Sequence, residues 1–185
     1  MAEARDQGKL AAQAEGVVGD ILKAALSWAR EVPAALHLPI RAVCVRLAEM
    51  VADQRHYLTP LPEPQETERR TVLELVAEML RSESVVAGIE ANLQALAERE
   101  LRATASWSLV SNSQTEWVEA AIGYLDSCTE LLPEDQRPDP YWADDVVGGI
   151  VVSVRAIIGT DDLHVRIESQ YGGAPKPAPE EEEGQ

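Results

Sequence analysis

The most apolar stretch of the chain, Ala143–Gly159, constrains the fold more than any other segment and reads ADDVVGGIVVSVRAIIG. A β-hairpin turning at Gly148–Gly149 would need alternating apolar and polar residues on both sides of the turn. That alternation is missing, since apolar residues run together after the glycines and only a short pair precedes them. On a helical wheel the apolar residues instead share an arc of about 140°. They are Ala143, Val146, Val147, Ile150, Val151, Val154, Ile157 and Ile158. The pattern therefore predicts a buried central helix near residues 140–158.

The residues at both ends of this run are typical of helix boundaries. Asp139 is a good N-cap, and Pro140 suits a first turn, where its missing N–H needs no partner. Gly159 suits a left-handed residue that ends the helix. Gly148 and Gly149 then lie in the helix interior, where we expect them to let a neighbouring helix approach closely.

Proline and glycine clusters divide the rest of the chain into further helical blocks. A first block covers residues 3–32, a second helix begins near Pro39, and a third is predicted over 67–81. A fourth follows almost at once and carries the apolar residues Val86, Ile89, Leu93, Leu96, Leu101 and Thr104. A fifth begins at a capping box made by Ser113 and Glu116. We therefore predict an all-α bundle of about six or seven helices.

The C-terminal region sets the predicted domain limits. Residues 163–171, LHVRIESQY, alternate like a strand, but a lone strand would leave its backbone groups unpaired in a helical chain. Both interpretations stay open, with helix favoured. Residues 172–185 offer no apolar anchor and include a run of Glu, so we expect a disordered acidic tail. A single helical domain is thus predicted over 1–171.

The chain is strongly acidic, with a formal net charge of −16 over 185 residues. Binding to nucleic acid or to anionic membranes depends on Lys and Arg, so both partners are disfavoured, and a basic protein is favoured. No stretch predicts a secretory signal or a membrane span. Cys44 and Cys128 fall on apolar helical faces, as reduced core cysteines do. Together with the excess of Arg over Lys, these features lead us to expect a bacterial cytoplasmic protein.

No motif predicts a metal, a cofactor or a catalytic nucleophile. His37, His56 and His164 lie in separate segments without metal-ligand spacing. The glycines of VVGGIVV are not part of a phosphate-binding loop, and a cysteine on a core face is inert. We therefore expect no cofactor and no metal.

Carboxylates are the remaining candidates for function. Glu116, Glu119, Asp126 and Glu130 fall on one outer arc of the fifth helix, while Asp144 and Asp145 fall in the second turn of the central helix. Capping and the helix dipole explain Asp139, Asp161 and Asp162, whereas the six residues named above are explained mainly by solvation. As a speculative set, these six residues could contact a partner protein.

The segment LLPEDQRPDPYWADDVVGGIVVSVRAIIGTDD shows a pattern of Leu-Pro-acid-acid, Tyr-x-x-Asp, an apolar helix and Gly-x-Asp. It resembles the YjaG-like family of small all-helical bacterial proteins of uncharacterised function, and it is similar to helical immunity proteins of toxin systems. RAVCVRLAEMVADQRHYL resembles an early helix of the same family. The resemblance spans roughly residues 36–171 and implies an all-helical fold. It implies no catalytic residues.

These observations predict a non-enzymatic, protein-binding helical domain, with an immunity-type inhibitor of a basic toxin as the specific hypothesis. One alternative is an enzyme that holds a divalent ion on carboxylates such as Asp144 and Asp145. The other is a homo-oligomeric structural or accessory protein.

Overall fold

The computed structural model describes residues 2–97 and 114–160. In these ranges it contains five α-helices and no β-strand: α1 (Ala2–Trp28), α2 (His37–Asp53), α3 (Gln65–Ala97), α4 (Gln114–Glu130) and α5 (Trp142–Ile158). Short 3₁₀ helices lie in the connections at Ala34–Leu36, Gln54–Tyr57 and Glu134–Gln136. The all-α prediction is confirmed for this part of the chain. Ser113, the segment 163–171 and the tail 172–185 lie outside it.

The predicted six or seven helices are wrong for the described residues, because two predicted helices are one. The third helix, expected to end near Arg81, continues as α3 to Ala97. The sequence between the two predicted helices, RSESVV, contains no proline or glycine that would break a helix. A continuous helix therefore forms where the apolar pattern suggested two.

The inward face of α3 changes in size along the helix, which explains why the pattern looked like two helices. The first half buries the larger Val72, Leu73, Val76 and Leu80, and the second half buries the small Ser84, Ala87 and Ala91. In that second half the larger apolar side chains point to solvent; they are Val85, Val86, Ile89 and Leu93. We call these four residues the outer stripe.

α2 occupies the centre of the bundle, since it contacts α1, α3, α4 and α5. Its residues are buried on almost every side, as expected of an internal helix; they include Ile40, Val43, Cys44, Leu47, Met50 and Val51. The predicted central helix is α5, which packs against α1, α2 and α4. α5 is thus a core helix, while α2 holds the middle of the fold.

α5 buries the apolar arc that its sequence predicts. Ala143, Val146, Val147, Ile150, Val151, Val154 and Ile158 are buried, and Ile157 is partly buried against the same core. Val152, the one large apolar residue off the arc, is 66% exposed. The helix prediction for this stretch is confirmed.

The ends of α5 follow the sequence signals with a small shift. Asp139 Oδ1 accepts a hydrogen bond from the Tyr141 N–H at 2.9 Å. The helix begins at Trp142 with Tyr141 as its N-cap, so the predicted N-cap at Asp139 and first-turn position of Pro140 are wrong. Asp144 and Asp145 consequently lie in its first turn, and their predicted place in the second turn is wrong. At the other end Gly159 is left-handed, with φ of 75°, as predicted.

The two glycines in the middle of α5 have different surroundings. A Cβ on Gly149 would lie 2.7 Å from Cζ2 of Trp28 on α1 and closer still to Cη2. A Cβ on Gly148 would meet nothing within 4 Å. The predicted close approach of a neighbouring helix is therefore confirmed for Gly149 and wrong for Gly148.

Ion pairs link α2 to α3. Arg41 on α2 pairs with Glu90 at 2.8 Å and with Glu83 at 3.4 Å. Further along, Arg81 on α3 approaches Glu49 at 3.5 Å and Asp53 at 3.3 Å. Residues near the start of α2 thus pair with the second half of α3, so the two helices run antiparallel.

The carboxylate of Glu49 is the buried member of this network. The residue is 4% exposed, and its side chain also accepts a hydrogen bond from Arg46 one turn earlier. A buried carboxylate needs such partners, because an unpaired charge in the interior is costly.

A second buried carboxylate, Glu66, organises the start of α3. It accepts hydrogen bonds from the Leu61 N–H at 2.9 Å, from Arg69 at 2.7 Å and from Arg70 at 2.5 Å. Arg69 also donates to the carbonyl of Thr59 at 2.7 Å. The backbone hydrogen bond from Leu61 lowers the pKa of Glu66, burial opposes the shift, and the two arginines add to it.

Candidate partner-binding surface

Negative charge is concentrated in the C-terminal part of the described chain. Residues 114–160 hold nine acidic and two basic residues, a net charge of −7, whereas residues 2–97 hold fourteen and ten, a net charge of −4. The ion pairs described above join residues of the first part. Of the two described ranges, the one that contains α4 and α5 therefore has the denser negative charge for its length.

The predicted acidic arc of α4 is present where its side chains are described. Glu119 and Glu130 are exposed, and Asp126 between them is half-buried. They share a face because they stand seven and four residues apart. For Glu116 the structure describes only the helical backbone.

The connection between α4 and α5 brings acidic residues of both helices together. α4 packs against α5, and Asp144, half-buried in the first turn of α5, lies close enough to act on Asp126. Partial burial raises the pKa of Asp126, and the negative charges of Asp144 and Glu130 raise it further. We call Asp126, Glu130 and Asp144 the acidic cluster.

The acidic cluster lies between two helix ends of opposite polarity. Asp144 and Asp145 lie at the N-terminus of α5, whose dipole stabilises negative charge. Asp126 and Glu130 lie in the last turns of α4, which contain no basic residue, and there the dipole opposes them. Asp145 is exposed beside Asp144 and extends the same surface.

Arg137, in the loop after α4, binds backbone rather than carboxylates in the structure. Its guanidinium donates to the carbonyls of Glu130 and Leu132, each at 2.9 Å. Glu130 is the last residue of α4 and Leu132 lies two residues beyond it. Backbone acceptors at the end of a helix lack helical partners. Arg137 therefore caps the helix.

An exposed tyrosine next to the acidic residues was not predicted as part of the site. Tyr141 immediately precedes α5 and is 74% exposed. Tyrosine is enriched in protein interfaces because its ring buries a large area and its hydroxyl forms hydrogen bonds. The signal that could have found it is a large aromatic residue directly after the polar Asp139–Pro140 helix start.

The described residues contain no group of three or more His, Cys, Asp or Glu placed to hold a metal ion. Cys44 and Cys128 are buried and are not joined in a disulfide. Burial raises the pKa of the Cys44 thiol to about 12, so its reactive thiolate is disfavoured. Burial also raises the pKa of the Tyr124 hydroxyl, and Cys128 adds to that shift. Neither group is prepared for catalysis near neutral pH.

Two further surface features lie away from the acidic cluster. An apolar groove of about 400 Å³ between α1 and α2 is lined by Leu22, Ala25, Leu26, Ala29, His37, Leu38 and Arg41. The outer stripe of α3 is the other. None of the helices in the described ranges combines the length and apolar character needed to cross a membrane.

Comparison of the chain with protein-family models, with curated proteins and with solved structures found no significant match.

Proposed function

We propose that this chain is a non-enzymatic protein-binding domain that holds a basic partner on the surface formed by α4 and α5. The observation that carries the proposal is the acidic cluster. Asp126 is half-buried, and its partial burial together with the negative charges of Asp144 and Glu130 raises its pKa.

Like charges held together in this way repel, and a cation from a partner would relieve the repulsion. A Lys or Arg placed at the cluster would interact with several carboxylates at once, in a setting less screened than open solvent. Complementary charge also accelerates encounter with a basic protein. The cluster therefore favours a cationic ligand more strongly than the same number of scattered carboxylates would.

Tyr141 and Asp145 complete the proposed surface. An exposed aromatic ring beside charged residues can bury apolar area on binding, while the charges set orientation. A helical inhibitor of the immunity type, acting on a basic bacterial toxin in the cytoplasm, is the most specific form of the proposal. The resemblance of the segment 131–162 to immunity proteins supports this form.

The test combines partner capture with a matched pair of variants. The tagged full-length chain is purified from its native host at low salt, and bound proteins are identified by mass spectrometry. The site variant is Asp126→Asn/Glu130→Gln/Asp144→Asn. The control, Glu15→Gln/Glu31→Gln/Glu68→Gln, removes the same charge from exposed positions elsewhere.

The expected result is a basic protein whose affinity falls at least about tenfold in the site variant and changes little in the control. Equal loss in both variants would show only a general effect of net charge, and the proposed surface would be wrong. Failure to capture any basic protein at low salt would overturn the proposed function itself.

A further inference from the structure

The outer stripe of α3 presents large apolar side chains opposite to the face that packs on the bundle. Val85, Val86, Ile89 and Leu93 are 59, 46, 53 and 60% exposed. On the other side of the same turns, Ala87 and Ala91 pack against Ala42 of α2. Isolated exposed apolar residues are ordinary, but a contiguous row on one helix face is typical of an interaction surface.

The spacing of the row is that of a helix–helix seam. Apolar residues recur at alternating intervals of four and three along α3, with Ser82 as the one polar member; the positions are Leu75, Met79, Ser82, Val86, Ile89, Leu93 and Leu96. This 3.5-residue repeat is the pattern by which one helix packs along another. The members near the start of α3, Leu75 and Met79, are partly buried against the protein's own core. In its second half, Val86, Ile89 and Leu93 face outward.

Acidic residues border the seam, on one side beside its partly buried first half and on the other side along its outward half. Glu78 is exposed at one edge, and Glu83 and Glu90 are partly exposed at the other, where Arg41 pairs with them from the bundle side. A second copy of this chain would bring the same glutamates against these, so like charges would face each other. A helix with basic flanks would instead place Lys or Arg opposite them.

We propose that the outer stripe binds a basic amphipathic helix of a partner protein, with the partner's apolar face on Val86, Ile89 and Leu93 and its basic flanks against the glutamates. This inference rests on the proposed function as a protein-binding domain and adds a second contact surface to it. The stripe supplies apolar burial, and the glutamates on its edges select a cationic helix and set its alignment.

The experiment uses the full-length chain and a synthetic peptide of three heptads, with Leu at the a and d positions and Lys at e and g. Binding of the fluorescently labelled peptide is followed by anisotropy at low and at high salt. A matched peptide carries Glu in place of Lys. The stripe variant is Ile89→Ser/Leu93→Ser, and Leu26→Ser is the control, since Leu26 is another exposed apolar residue, 65% exposed on α1.

We expect the Lys peptide to bind the unmodified chain, and its affinity to fall about tenfold or more in the stripe variant. The Leu26→Ser control should retain binding, and the Glu peptide should not bind. If the unmodified chain still bound the peptide at high salt and the stripe variant did not, apolar contacts of the stripe would be shown to contribute to peptide binding.

Equal affinity of the unmodified chain and the stripe variant would overturn the proposal. The acidic-cluster variant is Asp126→Asn/Glu130→Gln/Asp144→Asn. If it alone lost the peptide, the acidic cluster would be supported as a binding surface and the proposal for the stripe would be wrong. Suppose instead that only the stripe variant lost the peptide and that the native partner bound the acidic-cluster variant as well as it bound the unmodified chain. The stripe would then be supported, and the acidic cluster would be overturned as a binding surface.

Two further outcomes would assign the stripe to a different occupant. If the unmodified chain sedimented as a dimer and the stripe variant as a monomer, a second copy would cover the stripe. If the stripe variant melted far below the Leu26→Ser control, the chain itself would already bury these side chains. Either result overturns the proposal.

Discussion

The indole ring of Trp28, at the end of α1, occupies the space in which a side chain on Gly149 of α5 would lie. The contact joins the first and the last described helices and explains why a helix interior tolerates glycine here. Without a side chain at residue 149, the ring can pack directly on the backbone of α5. At the adjacent Gly148 no such neighbour is present.

This difference predicts opposite effects for two matched substitutions. Gly149→Ala should lower the free energy of unfolding by about 1–3 kcal/mol, because Trp28 must move to admit the new methyl group. Gly148→Ala should raise it by up to about 1 kcal/mol, since alanine favours a helix and meets no obstacle. Urea unfolding of the two variants measures both values. Equal effects at the two positions would contradict the packing described.

Arg137 provides a prediction about the end of α4. Arg137→Ala should destabilise the fold by about 1–2 kcal/mol, because two backbone carbonyls lose a charged donor. Arg137→Lys should recover part of that loss, as a single ammonium cannot reproduce the planar pair of donors. Chemical denaturation measures the series, with Arg30→Ala at an exposed position as the control. If both alanine variants behave alike, Arg137 does not act as a cap.

The acidic cluster predicts a variant that is more stable than the natural chain. Neighbouring negative charges and partial burial raise the pKa of Asp126, so its ionisation opposes folding at neutral pH. Asp126→Asn should therefore stabilise the fold at pH 7 by less than about 1 kcal/mol. The gain should shrink as the pH falls through the raised folded-state pKa, and it should vanish below the ordinary Asp value of 3.8.

Thermal melts of Asp126→Asn across this pH range measure the effect, and Glu119→Gln on the same face of α4 is the control. A gain in Asp126→Asn that did not depend on pH would show that the cause is not electrostatic. If Asp126→Asn were more stable but bound its partner more weakly, Asp126 would be shown to serve binding at the expense of stability.

Glu66 predicts the opposite pH dependence. Its folded-state pKa lies below the ordinary Glu value of 4.5, so its carboxylate stabilises the fold above that pH. The contribution is lost as the pH falls through the lower folded-state pKa. Glu66→Gln should thus be destabilised at pH 7, and the difference from the natural chain should shrink in acid.

Denaturant unfolding at pH 7 and at several acidic values measures this convergence. Glu68→Gln, two residues away and exposed, provides the control for charge alone. A constant difference between Glu66→Gln and the natural chain over the whole acidic range would rule out the carboxylate as its source.

Local sequence signals were sufficient for several elements. The apolar arc of α5, its left-handed end at Gly159 and the buried Cys44 and Cys128 follow from periodicity and glycine chemistry. They could be predicted because each depends on neighbours within one or two turns. The close approach at Gly149 was also correct, but the sequence could not identify Trp28 as the neighbour, since that contact spans the whole fold.

The interpretation of α3 failed for a different reason. A wheel analysis assigns the largest apolar residues to the core, and in the second half of α3 the core side is made of small residues. Val86, Ile89 and Leu93 are instead on the outside. An exposed apolar face that binds a partner has the same composition as a face buried in the core. The spacing of apolar residues in the sequence therefore cannot distinguish the two kinds of face.

For the acidic site, sequence spacing placed Glu119, Asp126 and Glu130 on one face of α4. Spacing within a helix carries no information about which residues of another helix come near, and the approach of Asp144 to Asp126 depends on the loop between α4 and α5. Tyr141 was missed because its proposed role depends on its exposure, which only the packing of α5 determines.

The ion pairs between α2 and α3 have a consequence for the axial register of these helices. Where Ala42 faces Ala87 and Ala91, the interface is smooth and offers few protruding side chains to resist sliding. A slide of α3 by one turn, about 5.4 Å, would bring Ala77 or Val85 to the place of Arg81. The buried Glu49 would then lose a partner, at a cost of about 1–3 kcal/mol. The ion pairs thus fix the axial position of α3 relative to α2. They thereby also fix where the outer stripe lies on the surface of the bundle.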